Sequence, residues 1–441
     1  MVNVGKFLSK RATAAKPESL YPGGIPPSGF FLKKKPPRTP FARAYLLWVR
    51  SCSKSRNLLG ACLAHSLHDG YTDQLYALLP TWQAQFGLSY MGLAAVRALY
   101  YGTMGGLQVP ADRVARRFKP RSALVLSTIL AAAGFLAMAL PTGFVGLCFG
   151  LVLAGIGSSV QHPRASDLVA QSYGSESRGA LGIYNFAGDL GKATLPAIVA
   201  LLLPVLPWRT VVGLMGLLGV LVGSTLLAVL PNKIPHASTQ HTLAHTHQTR
   251  RGFGVLLSIG ILDTATRMGY LLFLPFLIHT RGGSSATVGL GLALLFIGGA
   301  FGKATCGWLG QRIGVVGTVI ATEVATAALI IVTCFTPIVA MLVFLPLLGI
   351  VLNGTSSVLY GTVPELAPRG NTSQAFAWFY TGVIGSGALA PIAYGTIADH
   401  SSQMIGIVAA AATALVIVPL VLSLRKVFSP AQGAQSTPQP E

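Results

Sequence analysis

Apolar stretches of about the same length recur along the chain, with short polar segments between them. Twelve can be delimited, at 57–80, 90–109, 121–140, 143–162, 179–203, 209–230, 253–278, 286–309, 315–335, 337–361, 373–398 and 403–424. Roughly 20 residues at 1.5 Å rise per residue cross the hydrocarbon core of a bilayer. Each stretch therefore predicts a membrane-spanning helix, and the fold class is an all-α polytopic membrane protein. A hydrophilic segment, 231–252, splits the twelve into six and six. The expected organisation is a basic tail (1–56), an N-terminal half (57–230), a linker (231–252), a C-terminal half (253–424) and a second tail (425–441).

The two halves repeat one another. The first span carries Asp69, Asp73 and Pro80; the seventh carries Asp263, Arg267 and Pro275. The fourth span reads GSSVQHPRASDL from Gly157, and the tenth reads TSSVLYGTVPEL from Thr355. Pro196 in the fifth span matches Pro391 in the eleventh. Repeated halves of this kind are a transporter signature, with the substrate site near the membrane midplane between them.

Composition agrees. The 441 residues are 52% hydrophobic and 10% charged, with mean hydropathy +0.62; soluble domains run near 25% charged. Fifty-one glycines and 27 prolines suit packed membrane helices. The five cysteines (Cys52, Cys62, Cys148, Cys306, Cys334) show no paired spacing and read as small hydrophobes. The net charge of +20 suggests nucleic acid only until its distribution is examined. Residues 1–56 hold twelve Lys/Arg against Glu18 alone, and the other basic loops fall on the same side of the predicted topology. Only Arg209 and Arg281 fall on the opposite side. The positive-inside rule then puts both termini in the cytoplasm and explains the charge without nucleic acid. Residues 1–56 read as a mostly disordered tail, with 41–49 a short amphipathic piece for anionic lipid. The linker histidines His236, His241, His245 and His247 read as solvated rather than metal-binding.

The candidate chemistry lies inside the spans. A carboxylate at mid-bilayer costs about 2.5–3.5 kcal/mol on the insertion scale, so it must face a cavity, a bundle interior or a cation. His65, Asp69 and Asp73 are spaced four apart on one face of the first helix. That face predicts a pore-lining helix that takes up protons, with Asp69 the carrier and Asp73 and His68 assisting. Burial favours the neutral acid and a nearby cation favours the carboxylate, so cavity opening can load and unload a proton. Asp189 with Lys192, and Asp263 with Arg267, have the spacing of local ion pairs. Arg97 lacks a local acid and is expected to reach Asp69 or Asp73. Arg97, Arg267 and Lys303 are the candidate anion contacts, with Asp263, Asp189 and Lys192 beside them. Glu323, on the ninth span, reads as structural. His162, before Pro163, reads as a hinge or a gate.

Two loops carry a motif. GGLQVPADRVARRFKPR, Gly105 to Arg121, contains Asp112, Arg113, Arg116 and Arg117; GWLGQRIG contains Gly307, Arg312 and Gly314. They resemble the glycine–Asp–Arg–glycine–basic loop of the major facilitator superfamily. Gln108 and Ala115 stand at two of the usual glycines, and Gln311 replaces the acid in the second copy. HSLHDGYTDQLYALLPTWQAQFGLSY, GIGSSVQHP and GDLGKATLP resemble the fosmidomycin-resistance branch, over about 57–424. Gly188, Gly191 and Pro196 resemble a degenerate form of the glycine–proline motif of its exchangers.

The resemblance implies a twelve-helix major facilitator fold in a cell inner membrane, exporting a small anionic or amphiphilic compound or drug in exchange for protons by alternating access. It implies no enzyme activity, cofactor or metal. The partners are a small-molecule substrate, protons and lipid, and the protein works as a monomer. No GxxxxGK[ST] loop points to ATP. Proton-coupled import of an organic anion is the alternative; a non-transporting receptor would not need the titratable groups.

Overall fold

In a computed structural model of the chain, residues 40–231, 250–368 and 372–428 are described. Contacts divide the chain into Met1–Val49 and Arg50–Glu441. Of the first unit, only the helix starting at Pro40 is described. The rest of the tail before residue 40, the linker histidines and Arg369 lie outside the described residues.

The N-terminal half contains α1 (Pro40–Asp73), α2 (Leu75–Phe86), α3 (Tyr90–Gly106), α4 (Gln108–Ala115), α5 (Pro120–Ala139), α6 (Gly143–Ser158), α7 (Gln161–Tyr173), α8 (Ser177–Leu202) and α9 (Trp208–Val229). The C-terminal half contains α10 (Arg250–Thr280), α11 (Ser285–Phe335), α12 (Ile338–Thr362), α13 (Thr372–His400) and α14 (Gln403–Phe428). Residues 40–56, read from sequence as tail, are helical and continuous with the first span. That span breaks at Gln74, between α1 and α2. Pro80, just beyond, has no N–H for the Tyr76 carbonyl. The fourth span breaks between α6 and α7.

The longest helix, α11, has 51 residues, too many to cross a bilayer once. It turns at Gly314, whose φ of 75° and ψ of 169° only glycine adopts freely. With α1/α2 and α6/α7 each taken as one rod and α11 as two, the described helices make twelve rods plus the short α4. Gly314→Val should cost about 1–3 kcal/mol of backbone strain. The expected result is a lower thermal unfolding midpoint in detergent than for Gly317→Val, made in the regular helix beyond the turn.

Among the described residues, eight helical stretches are long and apolar enough to cross a membrane. Among the helices missing from that set, α1, α3 and α8 carry His65, Asp69, Asp73, Arg97, Asp189 and Lys192. The outer surface inverts the rule for soluble proteins: Val145, Val205 and Phe335 are each about 70–80% exposed, a surface that lipid covers.

The apolar core has an uneven shape. One cluster runs through both halves and includes Tyr76, Trp82, Leu93, Phe273 and Leu292. Two further clusters stay within one half each. One joins Ala61, Leu124, Leu168 and Leu226; the other joins Leu256, Val319, Leu359 and Ile417. The halves thus share a core near the α2–α3 turn, and their cores separate toward the opposite end. The shared end is also fastened by polar contacts. The Asp399 carboxylate on α13 accepts hydrogen bonds from the Tyr90 and Met91 amides at 2.8 and 2.9 Å, at the start of α3. The Tyr90 hydroxyl reaches Gln403 at 3.2 Å.

Candidate functional site

Small residues set the distance between α1 and α8. A Cβ at Gly191 would collide with the Ser66 carbonyl, and one at Gly188 would lie 2.7 Å from both Asp69 Oδ2 and His65 Cε1. Glycine at these positions lets the polar face of α1 lie directly against α8. Pro196 lies one turn on within α8.

Asp69 is the hub of the group that results. Its Oδ2 lies 3.3 Å from His65 Nε2 and 3.2 Å from Lys192 Nζ, and its Oδ1 lies 3.4 Å from His162 Nε2. The His65 ring is fixed on its other side. Its Nδ1 is 2.8 Å from the Tyr184 carbonyl, and the ring stacks on the Tyr184 ring at 3.9 Å. A carbonyl can only accept, so Nδ1 donates. The contact of Nε2 with Asp69 is then a hydrogen bond only when a proton sits there, on the ring or on the carboxyl. His65, Asp69 and His162 present donor atoms within 4.8 Å of one another, a spacing that can also hold a metal ion. Lys192 already brings positive charge to that carboxylate.

His68 belongs to a different network. Its Nε2 lies 3.2 Å from Thr128 Oγ1, and its Nδ1 lies 2.9 Å from Ser158 Oγ. The Thr128 hydroxyl donates to the Leu124 carbonyl, so it receives a proton from His68, whose Nδ1 is left to accept from Ser158. In its neutral form His68 is thus held in one tautomer by α5 and α6. His162 lies near the start of α7, just after the break in the fourth span, with its ring edge-on to His65 at 5.1 Å.

Arg97 is buried between two aromatic rings, 4.4 Å from the Tyr76 centroid and 4.8 Å from that of Tyr101. It donates to the Gly387 carbonyl at 3.4 Å and touches Met268 Sδ, both in the other half. Contrary to the expectation from sequence, it makes no ion pair with Asp69 or Asp73 within 4.0 Å; the rings and the α13 backbone hold it instead. Asp73 feels Lys192, Arg97 and Arg267 through space.

The local ion pairs expected from spacing are replaced by longer-range partners. Asp189 is bound by Lys303, whose Nζ lies 2.7 Å from both carboxylate oxygens and comes from α11. Lys192 turns to Asp69 instead. Asp263 makes its side-chain hydrogen bond with Glu323, not with Arg267. Arg267 reaches Thr264 at 3.5 Å. The Nε of Arg97 and that of Arg267 have no hydrogen-bond partner among the described residues.

The loop motif ties α4 to α7. Asp112 holds Arg116 at 2.8 Å and Arg164 at 4.0 Å. Arg113 and Arg117 are exposed. In the second copy Gly307 and Gly314 flank Arg312, whose guanidinium lies over the Trp308 ring at 4.9 Å.

Tyr184 and Glu323 join the buried polar groups without a signal in the sequence. The four-residue spacing already places His65 beside Asp69; no local spacing points to Tyr184 or Glu323.

A family model described as Major Facilitator Superfamily matches residues 61–260 and 256–440. The chain is 22% identical over 370 residues to the Fosmidomycin resistance protein of Escherichia coli K12, covering 80% of this chain and 89% of that one. It is 27% identical over 248 residues to the uncharacterized MFS-type transporter YcaD of Shigella flexneri serotype 5b, covering 54% and 63%. Among solved structures, a bacterial homolog of the human lysosomal transporter Spinster, inward-facing and unoccupied, superposes with TM-score 0.67 at 17% identity, covering 86% of this chain and 99% of that one. A POT family transporter in complex with a thioalcohol-conjugated peptide gives 0.71 at 14%, covering 85% and 97%. At such identities these two structures speak for the fold alone.

Proposed function

The chain belongs to the major facilitator superfamily, a multi-pass membrane transporter rather than an enzyme, and from that premise we propose that it exports a small amphiphilic or anionic compound in exchange for protons. Its halves, 57–230 and 253–424, alternate access to a site between them, from an inner membrane with both termini cytoplasmic. The observation that carries this reading is the setting of Asp69, against two imidazoles and one ammonium.

A proton at Asp69 neutralises the carboxylate and loosens its hold on Lys192. A substrate group that donates to the bare carboxylate excludes that proton. Mutual exclusion at one carboxylate is what exchange requires. The spare Nε donors of Arg97 and Arg267 offer places for an acidic or polar oxygen of the substrate. The relative named for fosmidomycin resistance supports export as the direction.

A second reading follows from Lys192. A purely anionic substrate that captures its ammonium leaves Asp69 to pick up a proton. Proton and anion then bind together, which gives symport.

The test is the purified chain in vesicles with a pH gradient of either sign and a panel of amphiphiles and organic anions, fosmidomycin included. Exchange predicts that at least one compound accumulates on the side from which protons leave. Accumulation on the side that protons enter would establish symport. Indifference of every transported compound to the gradient would remove proton coupling.

A further inference from the structure

Two buried acids, one from each side of a helix contact, meet in the C-terminal half. Asp263 on α10 and Glu323 on the part of α11 after Gly314 are 4% and 2% exposed. Their side chains hydrogen-bond to each other, and Glu323 is also hydrogen-bonded to Thr355 on α12. Thr355 donates in turn to Thr322 Oγ1 at 2.8 Å. An ionised carboxylate only accepts, so two of them hydrogen-bond only through a proton held by one. Like charges in contact away from water resist ionising together, which is why paired carboxyl groups share protons.

The surroundings fit one shared proton. The charged and titratable groups nearest the pair are Arg267 on α10, Cys306 on α11 and Tyr360 on α12. Asp73 and Tyr101, from the other half, act on Arg267. With one proton the pair carries a single negative charge, which Arg267 balances. Without it, two negative charges face one guanidinium.

We propose that Asp263 and Glu323 together form a second proton-binding site, in the C-terminal half, separate from Asp69. This rests on the proton-coupled reading for its use in transport, but not for its existence. Releasing the proton frees a carboxylate to engage Arg267. Arg267 is in turn within electrostatic reach of Asp73. The site gives the C-terminal half its own response to protons, so that a full cycle moves two protons rather than one.

Infrared spectra of the purified protein in lipid test this, because a protonated carboxyl group has its own C=O stretch and needs no substrate to be seen. Pairing predicts a band that shifts in heavy water, survives in Asp69→Asn, and is lost or displaced in both Glu323→Gln and Asp263→Asn. It should also fall reversibly as pH is raised through the range in which the protein stays folded. A band unchanged in both variants would overturn the pairing. A band lost in the variants but constant at every pH would make the proton a fixed structural one and overturn the exchangeable site. Glu323→Gln keeps a hydrogen-bonding group, and its elution and unfolding profiles show whether the fold survives. In vesicles, proton-to-substrate stoichiometry should fall from two to one in that variant. Unchanged stoichiometry would remove the pair from the cycle, whereas absence of coupling in the wild type would overturn the Asp69 reading and leave the infrared result standing.

Discussion

Asp69→Asn should abolish gradient-driven transport while leaving the protein folded. The amide keeps the shape of the carboxyl and can still hydrogen-bond His65 and His162, but it cannot exchange a proton. It also withdraws the counter-charge of Lys192, whose side chain is 30% exposed and can be solvated in part. The loss is therefore expected in coupling rather than in stability. Removing an essential proton-transfer group costs on the order of a hundredfold or more in rate. Substrate-for-substrate exchange, which moves no net proton, should survive. The measurement is flux in vesicles with and without a pH gradient, set beside counterflow of labelled substrate. Wild-type coupled flux through Asp69→Asn would remove Asp69 from the mechanism.

The second large effect concerns the ion pair between the halves. Stranding one member of a buried pair costs about 3–5 kcal/mol, and here the two members are unequal. Asp189 is 8% exposed and Lys303 is 35% exposed. Lys303→Gln leaves a buried carboxylate and should lower the unfolding midpoint strongly. Asp189→Asn leaves an ammonium that solvent can reach and should lower it less. The double variant should recover much of the loss, since neither charge is left alone. Midpoints of the four proteins in the same detergent form the cycle. Additive losses in the double variant would show that the two charges are not coupled.

The membrane-spanning helices, and the shared face of His65 and Asp69, were legible because each is a local pattern. Apolar length announces a membrane rod, and four-residue spacing brings Asp69 to the same face as His65. The partners of the buried charges were not legible in the same way. Asp189 has Lys192 three residues away, yet takes Lys303, 114 positions on. Helical spacing says which residues share a face but not which helix will face it. Glu323 reads as structural from its place on the ninth span, because its partner Asp263 is on another helix and no local spacing joins the two. The start of α1 was hidden because charge density marks a loop in a hydropathy reading, although basic residues are good helix formers. The closeness of α8 to α1 was signalled only by Gly188 and Gly191, and a glycine does not say which helix it admits.

The division of the apolar core bears on how the protein could be inhibited. At the α2–α3 end an inhibitor must displace packed side chains and the Asp399 contacts before it gains any surface. At the opposite end it would insert between two cores that are already apart and act as a wedge. The two faces of the membrane should therefore differ as routes for a blocker, and compounds selected against one face need not compete with those selected against the other.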